Sequence, residues 1–357
     1  MSKRTTSHDP LSNQSMDLKK KKLSHQENIF SDDILYDILS FHKNDFPFIV
    51  MNCALVSKQW SNVILERLKV ELSCGNDKKV NGQFLQNVET FHMNINVFVK
   101  SFECERFSLF KQLTKLDIAY ELEDPDYLDH LREQDYEEYQ KYLQFTHKIG
   151  KTGAKYIGDQ LRQLTYLNIG NNDIGDEGAK HISQLKLLTF LDVYENRISN
   201  VGLVNFSNEL QHLTHLNINS NYIFSDDAKL LIEMKQLTHL NIGDNSLQEE
   251  GAKWISEMKQ LKYLNISRNL IRSEGMKYIC ELTNLTTLNV SQNSIKDKGI
   301  EKLPNLEKLT ELNISYNNIS NKGAKLINEL KQLTFLDMDC NEGGDMKGFK
   351  ITIALKN

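Results

Sequence analysis

The sequence predicts an α/β solenoid, with short parallel strands on a concave face and helices on a convex face. Two observations carry that prediction. The phrase Leu164-Thr165-Tyr166-Leu167-Asn168-Ile169 returns at Leu188, Leu213, Leu237, Leu261, Leu285, Leu309 and Leu333, in steps of 24 residues with one step of 25. Within each return the first half alternates apolar and polar residues and the second half has helical spacing, so a unit is one strand, one turn and one helix.

The general form is L-x-x-L-x-[IVM]-x-x-N-x-[IL]-x-x-x-G, followed by Ala-Lys-x-Ile or a near equivalent. One unit buries about six apolar side chains at roughly 2 kcal/mol each, while ordering costs about 1.5 kcal/mol per residue, so no unit folds alone. Stability must come from neighbours that pair strands and share a core. In the unit opening at Leu188, the side chains of Leu188, Leu191, Val193, Ile198 and Phe206 are expected inside. Asn172, Asn196, Asn221, Asn245, Asn269, Asn293, Asn317 and Asn341 should place their amides on unpaired backbone groups of the turns, as a ladder along the array. Gly178, Gly202, Gly251, Gly275, Gly299 and Gly323 fall where the chain enters the helix; Asp227 takes that place in one unit, where a bend or looser packing is expected. These units resemble leucine-rich repeats of the ribonuclease-inhibitor-like kind, in a compact version covering about half the chain.

The N-terminal end has a different character. Residues 1–28 are polar, lack an apolar run of signal-peptide length and are expected to be a disordered basic tail. Lys19 to Lys22 read either as a nuclear import signal or as a solvated tail. Residues 29–73 read as three short helices: Ser31 caps the first, with Asp32 and Asp33 in its first turn. The phrases Phe30-Ser31-Asp32-Asp33-Ile34-Leu35 and Cys53-Ala54-Leu55-Val56-Ser57-Lys58-Gln59-Trp60 resemble an F-box, partially in the first helix and well in the last. The resemblance implies that Phe30, Ile34, Leu35, Ile38, Leu55, Val56 and Trp60 bind the Skp-type adaptor of a cullin-RING ubiquitin ligase. The alternative is a helical cap that closes the array and binds nothing.

Residues 80–112 read as a degenerate N-terminal repeat or cap, and residues 113–341 as the array proper. The array is interrupted by an acidic, aromatic insertion over 121–148, with nine carboxylates between Glu121 and Glu138. Leu128, Tyr136, Tyr139 and Leu143 share a helical face, so the insertion is expected to be an amphipathic helix: a side wall for a basic partner, or a self-packed excursion. Residues 342–357 alternate from Phe349 to Leu355 and are expected to cap the last strand.

The net charge of -5 gives no argument for nucleic acid or membrane, and five scattered cysteines without paired spacing suit a reducing compartment, cytoplasmic or nuclear. Sequons such as Asn265 and Asn313 recur because the strand phrase contains them. No motif for nucleophilic, phosphate-binding or metal chemistry is present, so neither catalysis nor a cofactor is expected.

Residues between the inward leucines should face the concave surface in columns. The first reads Lys115, Tyr166, Phe190, His215, His239, Tyr263, Thr287, Glu311 and Phe335. The second reads Asp117, Asn168, Asp192, Asn217, Asn241, Asn265, Asn289, Asn313 and Asp337, and the third includes Gly170, Tyr194 and Asn219. Tyr166, Phe190, Tyr194, His215, His239 and Tyr263 are the expected partner-binding residues, because rigid rings supply contact area. Adjacent His215 and His239 suggest zinc only weakly, since no third ligand is evident. The leading expectation is an adaptor that brings a substrate protein to a ubiquitin ligase. Similarity of the repeats to Ran GTPase-activating protein implies a GTPase regulator as the alternative, and a scaffold without a ligase link is the third reading.

Overall fold

The computed structural model describes residues 113–119 and 148–341 in full, and the backbone of two earlier strands, β1 (Val70–Cys74) and β2 (Val88–Met93). The chain divides into two compact units, 1–69 and 70–357, and the described residues all belong to the second. The expected helical module with Phe30, Ile34, Leu35, Ile38, Leu55, Val56 and Trp60, most of the acidic insertion, and residues 342–357 lie outside the described residues.

Eleven parallel strands follow one another in chain order. After β2 come β3 (Lys115–Asp117), β4 (Tyr166–Asn168), β5 (Phe190–Asp192), β6 (His215–Asn217), β7 (His239–Asn241), β8 (Tyr263–Asn265), β9 (Thr287–Asn289), β10 (Glu311–Asn313) and β11 (Phe335–Asp337). From β3 to β11 each residue pairs with its counterpart in the next unit, from Lys115 with Tyr166 to Glu311 with Phe335. The sheet begins earlier than the sequence suggests. Val70–Cys74, whose first residues the sequence reading gave to the helical module, pairs as a strand with β2.

The central leucine of every strand from Leu116 to Leu336 is buried, as are Leu188, Leu191, Val193, Ile198 and Phe206 in the unit that opens at Leu188. Helices close the units: α1 (Gly150–Gln160), α2 (Gly175–Ile182), α3 (Asn200–Glu209), α4 (Gln248–Ile255), α5 (Arg272–Ile279), α6 (Lys296–Gly299) and α7 (Asn321–Ile327). Gly275 shows why this position is small. A Cβ there would stand 2.8 Å from the Ile271 Cβ and 3.1 Å from the Ala252 Cβ of the preceding helix. Where Asp227 replaces the glycine, Ser225–Glu233 winds as a 3₁₀ helix, and the Asp227 carboxylate accepts from the Phe224 N–H at 2.8 Å. The unit with α6 departs as well: its helix is a single turn followed by the 3₁₀ segment Leu303–Asn305, which holds Pro304. One helix also caps the next, since Asp176 of α2 accepts from the N–H groups of Ser199 (2.8 Å) and Gly202 (2.9 Å) at the start of α3.

The asparagine ladder runs along the turns. Asn293 donates from Nδ2 to the carbonyls of Ile266 (2.9 Å), Val290 (3.1 Å) and Ser291 (3.2 Å). Its Oδ1 accepts from the N–H groups of Asn269 (2.9 Å) and Ile271 (3.2 Å) in the preceding unit. Asn196 and Asn317 make the same five-fold set of contacts or close to it. The residue before each ladder asparagine is left-handed without being glycine, among them Glu195 (φ 50), Arg268 (φ 52) and Tyr316 (φ 55). Such a conformation costs on the order of 1 kcal/mol or more and persists only where surroundings over-determine it.

Asn293→Ala removes a buried amide and leaves several backbone groups unsatisfied, so it should cost about 2–4 kcal/mol in urea unfolding. Asn289→Ala, on the strand face, removes one accepted bond from the Ser291 N–H (3.0 Å) and should cost about 1 kcal/mol or less. Equal losses for the two variants would contradict the ladder's role.

Candidate protein-binding face

The constant register sets the first-column side chains side by side on the strand face. Tyr166 and Phe190 stack with ring centroids 4.2 Å apart at 11°, and His215 and His239 stack at 4.0 Å and 14°. Phe190 stands 5.9 Å from His215, and His239 stands 6.0 Å from Tyr263, so five rings form one row. All five are half-buried, because each ring covers its neighbour's face. Thr287 and Glu311 end the row, with the Thr287 hydroxyl donating to the Glu311 carboxylate at 3.2 Å, and Phe335 beyond them is exposed.

Tyr194 belongs to the third column, and its ring lies against Gly170, where a Cβ would come within 2.0 Å of a ring carbon. The glycine at 170 makes room for that ring.

The second column is less available than its sequence suggests. Each side-chain oxygen accepts from the backbone N–H two residues on: Asn168 from Gly170, Asn217 from Asn219, Asn241 from Gly243, Asn265 from Ser267 and Asn313 from Ser315, at 3.1–3.2 Å. The amide oxygens therefore serve the turns, while the Nδ2 groups of Asn241 and Asn265 make no hydrogen bond among the described residues.

A threonine ladder lies beneath the rings, which the strand phrase did not reveal. Thr165, Thr189, Thr214, Thr238, Thr286, Thr310 and Thr334 each donate a hydroxyl to the carbonyl one unit earlier, at 2.9–3.3 Å. Thr214 and Thr238 also bond the Nδ1 atoms of the histidines that follow them, at 2.8 and 2.9 Å.

Burial shifts the titrating groups of this face. It lowers the pKa of His215, and for His239 burial acts together with the neighbouring His215 and Lys262 charges. It raises the phenols of Tyr166 and Tyr263, aided by Asp117 and Asp192 at the first and by Glu311 at the second. Asp192 is pushed up to about 6, by burial first and by the Asp117 charge, against the opposing hydrogen bonds from Asn217 (2.9 Å) and the Tyr194 N–H (3.1 Å). Among the described residues no three His, Cys, Asp or Glu side chains are placed to hold a metal ion, and no helix is long and apolar enough to cross a membrane.

A carboxyl whose folded pKa is raised is destabilising where it is ionised in both states and ceases to be so once protonated in the fold. Asp192→Asn should therefore raise stability by about 1 kcal/mol at pH 7.5, a value discounted for partial exposure and for the bond lost to Asn217. The gain should shrink as pH falls through about 6. Chemical denaturation of both proteins at pH 7.5 and pH 5 checks this; a gain that grows at pH 5 would contradict it.

A model described as leucine-rich repeat matches residues 211–271, 235–295 and 283–342, and a second of the same description matches 160–183. No curated protein matches the chain. Among solved structures it is similar to an internalin (inlF) from Listeria monocytogenes, at 20% identity and a TM-score of 0.55, covering 90% of this chain and 96% of that one. The functional domain of InlJ from the same organism, which includes a cysteine ladder, aligns at 18% identity with a TM-score of 0.44, covering 79% of this chain and 51% of that one. At 20% identity the likeness to the inlF internalin is one of fold. Residues 160–183 and 211–342 are thus leucine-rich repeats.

Proposed function

We propose that the chain is a protein-recognition adaptor without catalytic activity, whose strand face holds a partner protein. The row from Tyr166 to Tyr263 carries this reading. The repeat itself does not require rings there, since the same column holds Thr287 and Glu311, and rigid aromatic anchors in a row are the usual material of binding hot spots. The N-terminal segment extends the reading to a substrate receptor of a cullin-RING ligase, supported by the F-box-like residues Phe30, Ile34, Leu35, Ile38, Leu55, Val56 and Trp60, and to action in the cytoplasm or nucleus. Helices of seven to eleven residues in most units favour the ribonuclease-inhibitor-like kind of repeat.

Phe190→Ala and Tyr263→Ala should each weaken binding of a co-purified partner at least about tenfold, equivalent to ~1.4 kcal/mol. Stability should fall by only about 1 kcal/mol through lost ring contacts. Charge reversal at Lys180, Lys253 and Lys325 on the helices should leave binding intact; the opposite pattern places the partner on the helix side. Ile34→Asp combined with Leu55→Asp should abolish capture of a Skp-type adaptor while leaving the thermal transition of the array unchanged. Undiminished capture by the double variant removes the ligase link and leaves the strand face untouched.

A further inference from the structure

The two stacked histidines each bond a threonine of the ladder through Nδ1. The hydroxyls of Thr214 and Thr238 stand within reach of two partners, the carbonyls of Thr189 (2.9 Å) and Thr214 (3.3 Å) and the Nδ1 atoms of His215 (2.8 Å) and His239 (2.9 Å). A hydroxyl has one proton, so where it goes to the carbonyl, Nδ1 is the donor and the neutral ring keeps a bare Nε2 lone pair. The rings stack at 4.0 Å with the same nitrogen of each on its threonine, so the two Nε2 atoms occupy matching places on neighbouring rings. Burial lowers the pKa of both rings, which favours the neutral form.

The surroundings choose the donor. The three columns of the strand face carry Asp117, Asp192, Glu311, Asp337 and Asp339 against Lys115 alone, so the face favours a cation and repels phosphate or carboxylate. Two parallel acceptors suit a planar fork of N–H donors better than an ammonium, which is a compact, strongly hydrated point charge. Beside the pair, the Nδ2 groups of Asn241 and Asn265 offer donors for backbone carbonyls.

We propose that His215 and His239, both as the Nδ1–H tautomer, form a neutral two-point acceptor for the guanidinium of an arginine, carried by an extended segment of the partner protein. This rests on the strand-face reading and names the chemistry the partner must bring. It makes recognition sensitive to acid in a direction opposite to a histidine that pairs with carboxylates: protonation removes the acceptor and repels the guanidinium. The ionisable groups on the strands flanking the pair are Asp192 and Tyr263, with Lys262 beside His239 and Tyr166 one strand further off.

The first test needs no partner. Imidazole ¹⁵N NMR of the full chain at pH 7.5 should show both rings as the Nδ1–H tautomer, and Thr214→Val with Thr238→Val should mix the tautomers. Rings found as Nε2–H overturn the proposal. In the second, twelve-residue peptides are selected from a displayed library against the full chain. Binders should be rich in arginine, weaken about tenfold or more on replacement of that arginine by lysine, and weaken similarly against His215→Phe or His239→Phe, which keep a ring and delete the acceptor. Affinity should fall between pH 7.5 and 5.5, and should do so in an Asp192→Asn background too. Peptides that need Phe190 yet bind without arginine overturn the proposal and leave the strand-face reading standing. Peptides indifferent to both Phe190→Ala and Tyr263→Ala overturn both.

Discussion

After each strand the chain turns away from the sheet, leaving carbonyls and N–H groups that parallel pairing does not reach. The ladder asparagines answer them: Asn293 alone serves three carbonyls and two N–H groups drawn from two units. Buried backbone polar groups are costly when unpaired, so this one amide per unit sets both the distance and the register at which neighbours stack. The left-handed residues beside it are tolerated for the same reason. With register constant from β3 to β11, whatever residue occupies a given strand position stands beside its counterparts.

The strand face turns that constancy into a surface. A period spent on the core leaves one variable side chain per strand, and five consecutive units place a ring there. The rings pack on one another, which orients them. Thr214 and Thr238 hold the two histidines through Nδ1. The asparagines of the second column give their oxygens to the turns, and Asn217 gives its N–H to Asp192. The result is a face with a row of rings beside a row of amides and carboxylates.

Much of this was legible in the sequence, because a repeat writes its register openly. The first column, the ladder asparagines and the inward leucines follow from spacing alone, and the structure places them accordingly. The threonine ladder was not legible, since a threonine two positions before a buried leucine reads as ordinary strand propensity until its hydroxyl is seen within 3.3 Å of a carbonyl. Tyr194 stands in its expected third column, and that Gly170 makes room for its ring became visible only with the neighbouring unit in place. The raised Asp192 needed burial and the Asp117 charge, neither of which a lone carboxylate in an asparagine column announces. At the irregular unit the loss of glycine was visible, and its outcome, a 3₁₀ helix steadied by Asp227, depended on a backbone contact.

The ladder also has a direction. Asn196 completes the turn holding Asn172 and Ile174, and Asn341 completes the turn holding Asn317 and Ile319, so each unit is finished by the one after it. On a ribosome the chain emerges from its N-terminus. A newly extruded unit can therefore bury its leucines against the array already formed, yet its turn stays open until the next asparagine appears. Growth of the fold trails synthesis by one repeat, and the last turn of the nascent array is always its least protected point.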